Sequence, residues 1–539
     1  MKLKNIFSAV TAAAMLTACV GDLNTIPLNE TDVTSETAYG ADEAGYVQGL
    51  TKIYFQLVSN NTQDLQVADG GASEFIRAFW STQEVTADAA KCAWGDAWVN
   101  DLNNNTWKGD VLNDAVYAVY VRTLQGITYV NEYLRQTSDA NLDLRGCSAD
   151  VKAKVQEYRA EARFLRAYFY WAAMDTFGQV PFSTESTQFG GGYNPPQKPA
   201  AEIFDFIVSE LNDLASDGSA MPAAQSNYPR ADKGSVLGLL ARVYLNAEVY
   251  TGTAMWAEAK ATCEKIYSLG YALAPTHAEL FRGDNGENPD AKKEMLFAAS
   301  YNAEHTQSYG GTTYLTLSTL SGDDGAVNII GINGGWAGNR VPDHYVQTYF
   351  APTAADFATG DYTIADKRAY FYIKGRSQSM QDNLNTFLNG WSCIKFNNVP
   401  HDVDAVDYAA TAATKNFSDI DWPLIRLGEI HLIYAEACMH AGGDASAQVK
   451  ALAERAGVAA PATIDADFLM AERARELMWE AHRRTDLIRF GKWISGYNWT
   501  YKGGNFGGQD LPEHFNVFPV PSTELATNLD LDQNPGYAR

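Results

Sequence analysis

Apolar residues return every three or four positions between Val151 and Met174, at Val155, Tyr158, Ala162, Leu165, Phe169 and Ala172. That spacing puts them on one face of a helix with 3.6 residues per turn. Phe177-Gly178 and then Pro181 close the segment, because Gly takes the left-handed cap that ends helices and Pro cannot extend one. The same reading predicts helices from about Ala200 to Ala215, Lys233 to Ala247 and Trp256 to Leu269. Near the C-terminus it predicts helices over Leu424 to His440, Ala445 to Arg455 and Ala466 to Trp479. Short helices in successive pairs, with small residues at the crossings, predict tetratricopeptide-like hairpins. From Gly310 to about Ala410 the chain is rich in Gly, Asn and aromatic residues and carries few periodic runs. Long irregular segments on a scaffold are favoured places for a site. The expected fold is therefore mainly α: a tetratricopeptide-like helix-hairpin scaffold with long irregular ligand-binding loops.

Charge and composition narrow the class. Asp and Glu outnumber Lys and Arg by 65 to 41 over 539 residues. That balance argues against nucleic acid and against docking on anionic lipid, since both favour a basic surface. With 12 Trp and 29 Tyr, some rings remain for a binding surface after the core is filled. Cys92, Cys147, Cys263, Cys393 and Cys438 are odd in number and widely spaced, which implies no disulfide framework. No CxxC pair exists and the eight His are scattered, so a zinc site built on Cys and His is not expected. No nucleophile elbow, phosphate loop or HExxH motif appears.

Lys2 and Lys4 precede an apolar stretch from Ile6 to Leu16, shorter than the roughly 20 residues a spanning helix needs. This is the pattern of an export signal. Leu16-Thr17-Ala18-Cys19 resembles a bacterial lipobox, in which cleavage precedes the Cys and the thiol carries lipid. Cys19 is the expected lipidation site, with residues 1–18 as signal peptide and 19–37 as a polar tether. No later segment is apolar enough to span a bilayer, so acyl chains, at about 0.8 kcal/mol per buried methylene, would be the anchor.

Four further segments carry a resemblance. They are Glu161-Ala162-Arg163-Phe164-Leu165-Arg166-Ala167-Tyr168 with Phe177-Gly178-Gln179-Val180-Pro181, Arg230-Ala231-Asp232-Lys233 leading to Ala241-Arg242-Val243-Tyr244-Leu245, Pro423-Leu424-Ile425-Arg426-Leu427-Gly428-Glu429 with Tyr434-Ala435-Glu436-Ala437, and Arg473-Ala474-Arg475-Glu476-Leu477 with Glu480-Ala481-His482-Arg483-Arg484 and Asp486-Leu487-Ile488-Arg489-Phe490-Gly491. The chain closes on Phe518-Pro519-Val520-Pro521 and Gln533-Asn534-Pro535-Gly536-Tyr537. In this order, and with the lipobox, they resemble the SusD/RagB family across essentially the whole chain. The resemblance implies one domain over 38–539, with an N-terminal part over about 38–270 and a C-terminal part over about 290–539. It implies a non-enzymatic, surface-exposed outer-membrane lipoprotein that captures glycan, or in some members peptide, for a SusC-like TonB-dependent transporter. It also implies that Arg426, Glu429, Glu476, Arg483, Arg484 and Asp486 are scaffold ion pairs rather than ligand contacts.

Locally the chain resembles the starch-binding branch of that family. Phe75-Ile76-Arg77, Cys92-Ala93-Trp94, Ser308-Tyr309-Gly310-Gly311-Thr312-Thr313-Tyr314-Leu315 and Asn333-Gly334-Gly335-Trp336 carry the likeness. It implies an arc of Trp94, Tyr309 and Trp336 following an α-glucan helix, with Trp98 as a fourth ring and Arg77 and Asn100 as hydrogen-bonding groups. No cofactor is required. Asp284-Asn285-Gly286-Glu287-Asn288 is acidic and Gly-bent, so Asp284, with Asp419 and Asp421, is a candidate calcium donor set. Two other readings remain. A secreted glycoside hydrolase needs two carboxylates about 5–10 Å apart around the sugar. A helical-repeat scaffold for protein partners alone needs no sugar affinity.

Overall fold

The computed structural model describes residues 38–60, 65, 67, 70–188 and 194–539; the signal peptide, Cys19 and the tether lie outside the described residues. The helices that place the site are α1 (Glu43–Val58), α2 (Phe75–Trp80), α3 (Ala97–Asn104), α4 (Asp114–Gln136), α5 (Ala149–Phe177), α6 (Ala200–Ala215), α7 (Lys233–Leu245), α8 (Trp256–Tyr267), α9 (Gly311–Leu317), α10 (Leu427–Ala441), α11 (Ser446–Ala456), α12 (Ala466–Glu476) and α13 (Arg483–Arg489). Short strands accompany them: β1 (Lys91–Cys92), β2 (Met295–Ala299), β3 (Asn339–Arg340) and β4 (Trp422–Arg426).

The helices pack in series: α4 on α5, α5 on α6, α6 on α7, α7 on α8, α8 on α10, and α10 on α11 and α12. This is a tetratricopeptide-like stack. At its centre, α5 starts where the Ser148 hydroxyl accepts the Val151 N–H at 3.2 Å and stops at Gly178, φ 72°. Every residue from Phe164 to Phe177 is buried, as befits a helix surrounded on all sides. One core continues from Tyr46 and Trp80 through Trp171 to Trp422, Trp479 and Phe518. The Trp80 indole donates to the Trp479 carbonyl at 3.1 Å, so the parts before 270 and after 290 share one interior.

One predicted helix begins later than its pattern suggested. Leu424 to Arg426 belong to β4, which pairs antiparallel with β2. Pro423 disfavours a helical Trp422 before it, and all five residues of β4 are buried. A short apolar run buried on both sides is what an interior strand requires. The chain turns helical only after Arg426.

The motif charges stitch this stack together. Arg426 bonds Glu294 at 2.9 Å, Glu476 at 2.6 Å and Glu480 at 2.7 Å. Arg368 also reaches Glu476, at 2.9 Å, and Arg242 pairs with Glu429 at 2.6 Å. Arg483 pairs with Asp88 at 2.7 Å, and Asp486 receives Arg473 at 2.8 Å. These groups are buried, where each charge depends on its partner. Arg484 differs from expectation. Its partners among the described residues are the carbonyls of Asn516 at 2.6 Å and Phe515 at 3.4 Å and the faces of Trp493 and Phe518, with no carboxylate in contact.

Candidate functional site

A two-residue ladder joins segments far apart in sequence. β1 pairs antiparallel with β3, Lys91 opposite Arg340 and Cys92 opposite Asn339. The Ala93 N–H extends it to the Gly338 carbonyl at 2.8 Å. Trp94, one residue further, is thereby set against the loop that carries Trp336, and its indole N–H donates to the Trp336 carbonyl at 3.3 Å. A Cβ at Gly338 would stand 2.9 Å from the Trp94 ring. Glycine is what lets that ring lie against the backbone.

α9 places the other two rings from its opposite ends. Tyr309 stands just before the Gly310 cap and is 52 % exposed. Beyond the C-terminal end, the carbonyls of Leu317, Ser318 and Leu320 accept the N–H groups of Trp336 (2.7 Å), Gly338 (2.8 Å) and Ala337 (3.1 Å). The centroids of Tyr309 and Trp336 are therefore 6.1 Å apart, their planes tilted by 53°. Phe417, which the sequence reading did not single out, packs 5.1 Å from Tyr309 at 45°. Trp94, Trp336 and Phe417 are half-buried, each held on one side and open on the other.

Asn100 lies beside Trp94. Its side chain donates to the Gly95 carbonyl at 3.2 Å and accepts from the Asn385 amide at 3.1 Å. The same amide reaches the Trp94 carbonyl at 3.2 Å. Asn385 thus braces the turn and adds a second amide at the rim.

Two expected members stand elsewhere. Trp98 is 8 % exposed and part of the core. It sits on α3 with its face turned inward, so it is not a fourth ring of the arc. Arg77 is 1 % exposed and lies behind the arc, not at its surface. Its guanidinium is 5.3 Å from the Trp94 centroid and 4.3 Å from that of Tyr314, a cation packed on two ring faces.

Under the Tyr309 turn lies Glu74, wholly buried. It accepts the hydroxyls of Tyr301 and Ser308. A Cβ at Gly310 would come within 2.6 Å of Glu74 Cβ, so backbone and carboxyl touch. Burial pushes this carboxyl up to about 8, against the opposing pull of the Tyr301 hydroxyl, Arg122 and Arg77.

The candidate calcium donors do not converge. Asp284 bonds His401 Nδ1 at 2.6 Å, and Asp419 bonds Lys415 at 2.6 Å. Asp421 accepts the Tyr228 hydroxyl at 2.6 Å and the Tyr301 N–H at 2.8 Å. Burial raises Asp421 to about 6, whereas a calcium site needs several ionised oxygens turned to one point. Among the described residues no group of three His, Cys, Asp or Glu is disposed to hold a metal ion. The expectation of calcium at these three residues is corrected accordingly.

The molecule is thus of the class in which a helical-repeat scaffold displays an aromatic platform on Gly-bent turns. The family model described as "SusD family" matches residues 271–537, and the one described as "Starch-binding associating with outer membrane" matches 56–245. The starch-binding protein SusD of Bacteroides thetaiotaomicron is 31 % identical, over 99 % of both chains. A SusD superfamily protein of Parabacteroides distasonis superposes with a TM-score of 0.69 at 20 % identity, covering 94 % of this chain and all of that one. Surface glycan-binding protein A of Bacteroides thetaiotaomicron, solved with laminarihexaose, gives 0.67 at 18 % identity, covering 91 % and 99 %. The chain belongs to the SusD family, a carbohydrate-binding family. No helix among the described residues is long and apolar enough to cross a membrane.

Proposed function

We propose that this protein captures starch-type α-glucan without cleaving it, by stacking sugar rings on Trp94, Tyr309 and Trp336, with Phe417 extending the row. The observation that supports the reading is the contact of Tyr309 with Trp336 and with Phe417, and the Trp94 indole hydrogen-bonded to the Trp336 backbone beside them. A sugar ring has apolar C–H faces and a hydroxyl rim. Flat side chains cover the faces, while Asn100 and Asn385 serve the rim. Arg77 sets positive charge behind the Trp94 indole.

One ring face of roughly 70 Å² at about 25 cal/mol/Å² contributes roughly 1.8 kcal/mol, and three contribute roughly 5 kcal/mol before ordering costs. Binding in the micromolar to millimolar range follows. Weak capture suits release to a SusC-like TonB-dependent transporter, with a lipid on Cys19 holding the protein at the outer-membrane surface. The name of the starch-binding relative supports α-glucan over other ligands. Calorimetry with maltoheptaose tests it: Trp336→Ala should lose affinity with the melting temperature held. Unchanged affinity would defeat the assignment.

A second glycan specificity has one observation in its favour, the neighbour solved with laminarihexaose. A panel of starch, β-glucan, fructan and peptide ligands separates the two. Steady release of reducing ends would instead support a hydrolase.

A further inference from the structure

A cavity of about 390 Å³ opens between the turns around 378–380 and 498–507. Its volume falls within the range of about 300–1,000 Å³ usual for small-ligand pockets. Asp343, Gln378, Ser379, Asn498, Thr500 and Phe506 line it, and no Lys or Arg does.

Several of these groups have bonding capacity to spare. Asp343 Oδ1 accepts the Gln378 amide and the Trp391 indole, both at 2.9 Å. Asp343 Oδ2 has no protein partner among the described residues. The Thr500 hydroxyl bonds no described side chain or backbone group, and its oxygen is reached by solvent. The Asn498 amide is exposed and equally unengaged. The Trp499 indole N–H, in a residue 1 % exposed, has no partner among the described residues, and a buried donor without one is uncommon in a native fold. The apolar wall is Phe506, 37 % exposed. Tyr501 braces it edge-on at 5.7 Å and 78°, which fixes the ring, and the Tyr501 hydroxyl is tied to the Met380 carbonyl at 2.8 Å.

An aromatic wall, a free carboxylate oxygen, a hydroxyl and an amide fit a neutral polyol. Anions are disfavoured, since Asp343 has no Lys or Arg beside it in the lining and His344, which also lines the cavity, is engaged by the Tyr497 hydroxyl at 3.2 Å. The cavity also shares a segment with the platform. Ser379 and Met380 form its wall, and Asn385, in the same loop, holds Trp94 and Asn100.

From this juxtaposition we infer that the cavity is a second carbohydrate subsite, which binds a neutral pyranose against Phe506 with its hydroxyls on Asp343, Asn498 and Thr500. The choice of saccharide rests on the glycan reading above; the subsite itself rests on the cavity's own chemistry.

Trp499 lines this cavity and Trp336 the platform, so the two sites report separately in fluorine NMR of the full chain labelled with 5-fluorotryptophan. Trp499→Phe and Trp336→Phe assign the signals. Titration with maltotriose and laminaritriose should move the Trp499 signal in wild type and in Trp336→Ala. Phe506→Ala should raise the sugar concentration needed for that shift about 20-fold, in line with loss of a ring face, and leave the Trp336 titration intact. A Trp499 signal that stays fixed while Trp336 moves overturns the subsite and spares the platform. So does one that moves only when Trp336 is present. If neither signal moves with any sugar, both readings fail.

Discussion

Tyr309→Ala is the sharpest test of the platform, because the ring is open to solvent yet fixed in place. Tyr309 is 52 % exposed and touches Trp336 and Phe417. Its removal forfeits aromatic pairing of about 0.5–1.5 kcal/mol, well below the 3–5 kcal/mol typical of emptying a buried aromatic site. For the ligand, loss of a face of roughly 70 Å² costs about 1.8 kcal/mol, or about 20-fold in Kd. Calorimetry with maltoheptaose and urea unfolding on the same preparation read the two effects. The expected result is a Kd raised about 20-fold with stability lowered by at most about 1.5 kcal/mol. A Kd within twofold of wild type would refute the stacking argument. A stability loss of several kcal/mol would show the ring to be a structural strut.

Other predictions follow from groups around the site. Glu74 is raised to about 8 in the fold, so the native state keeps a proton that the unfolded chain releases near its ordinary value. Its contribution therefore favours folding at low pH and fades as pH rises from about 4.5 to 8. Glu74→Gln should flatten the fall in stability over that window by about 1.4 kcal/mol per pH unit, and denaturation at pH 5, 6.5 and 8 that gives the wild-type slope would contradict it. Trp98→Ala should cost about 3–5 kcal/mol as a core deletion while the folded protein keeps its glycan affinity; the reverse pattern would return Trp98 to the binding surface. Cys19→Ala should free the protein from membranes, and fractionation that still finds it in the outer membrane would count against the anchor.

Helix periodicity carried most of the scaffold. α5 to α8 and α11 lie where apolar spacing put them: α6, α8 and α11 bury one regular stripe, while α7 and the C-terminal half of α5 are buried all round. α4 went unread. Its run Val116-Tyr117-Ala118-Val119-Tyr120-Val121 is β-branched and aromatic, which locally favours strand, and the helix is secured by the Asn113 cap and by packing on α5. Leu424 to Arg426 of β4 were read as helix because so short a run has no period of its own. At the site, the Gly-flanked rings were legible through local likeness. Phe417 and Glu74 were not, since nothing in their neighbours marks them. Their place depends on how α9, the Trp94 turn and the segment before β4 meet. Burial of Trp98 and Arg77 is equally a tertiary matter: exposed Asp96 precedes Trp98 by two positions, and residue type alone cannot tell which face of α3 turns inward.

The tilt between the rings has a consequence for what can lie across them. Planes inclined by 53° and 45°, held by α9 and by the segment before β4, cannot all meet a straight ribbon at once. An extended polymer such as cellulose would rest on a single face, whereas a coil that turns from one unit to the next meets each face squarely. The protein would then gauge the bend of a chain before it reads any hydroxyl, and sorting by curvature tolerates branches and variable length where a tight pocket would not.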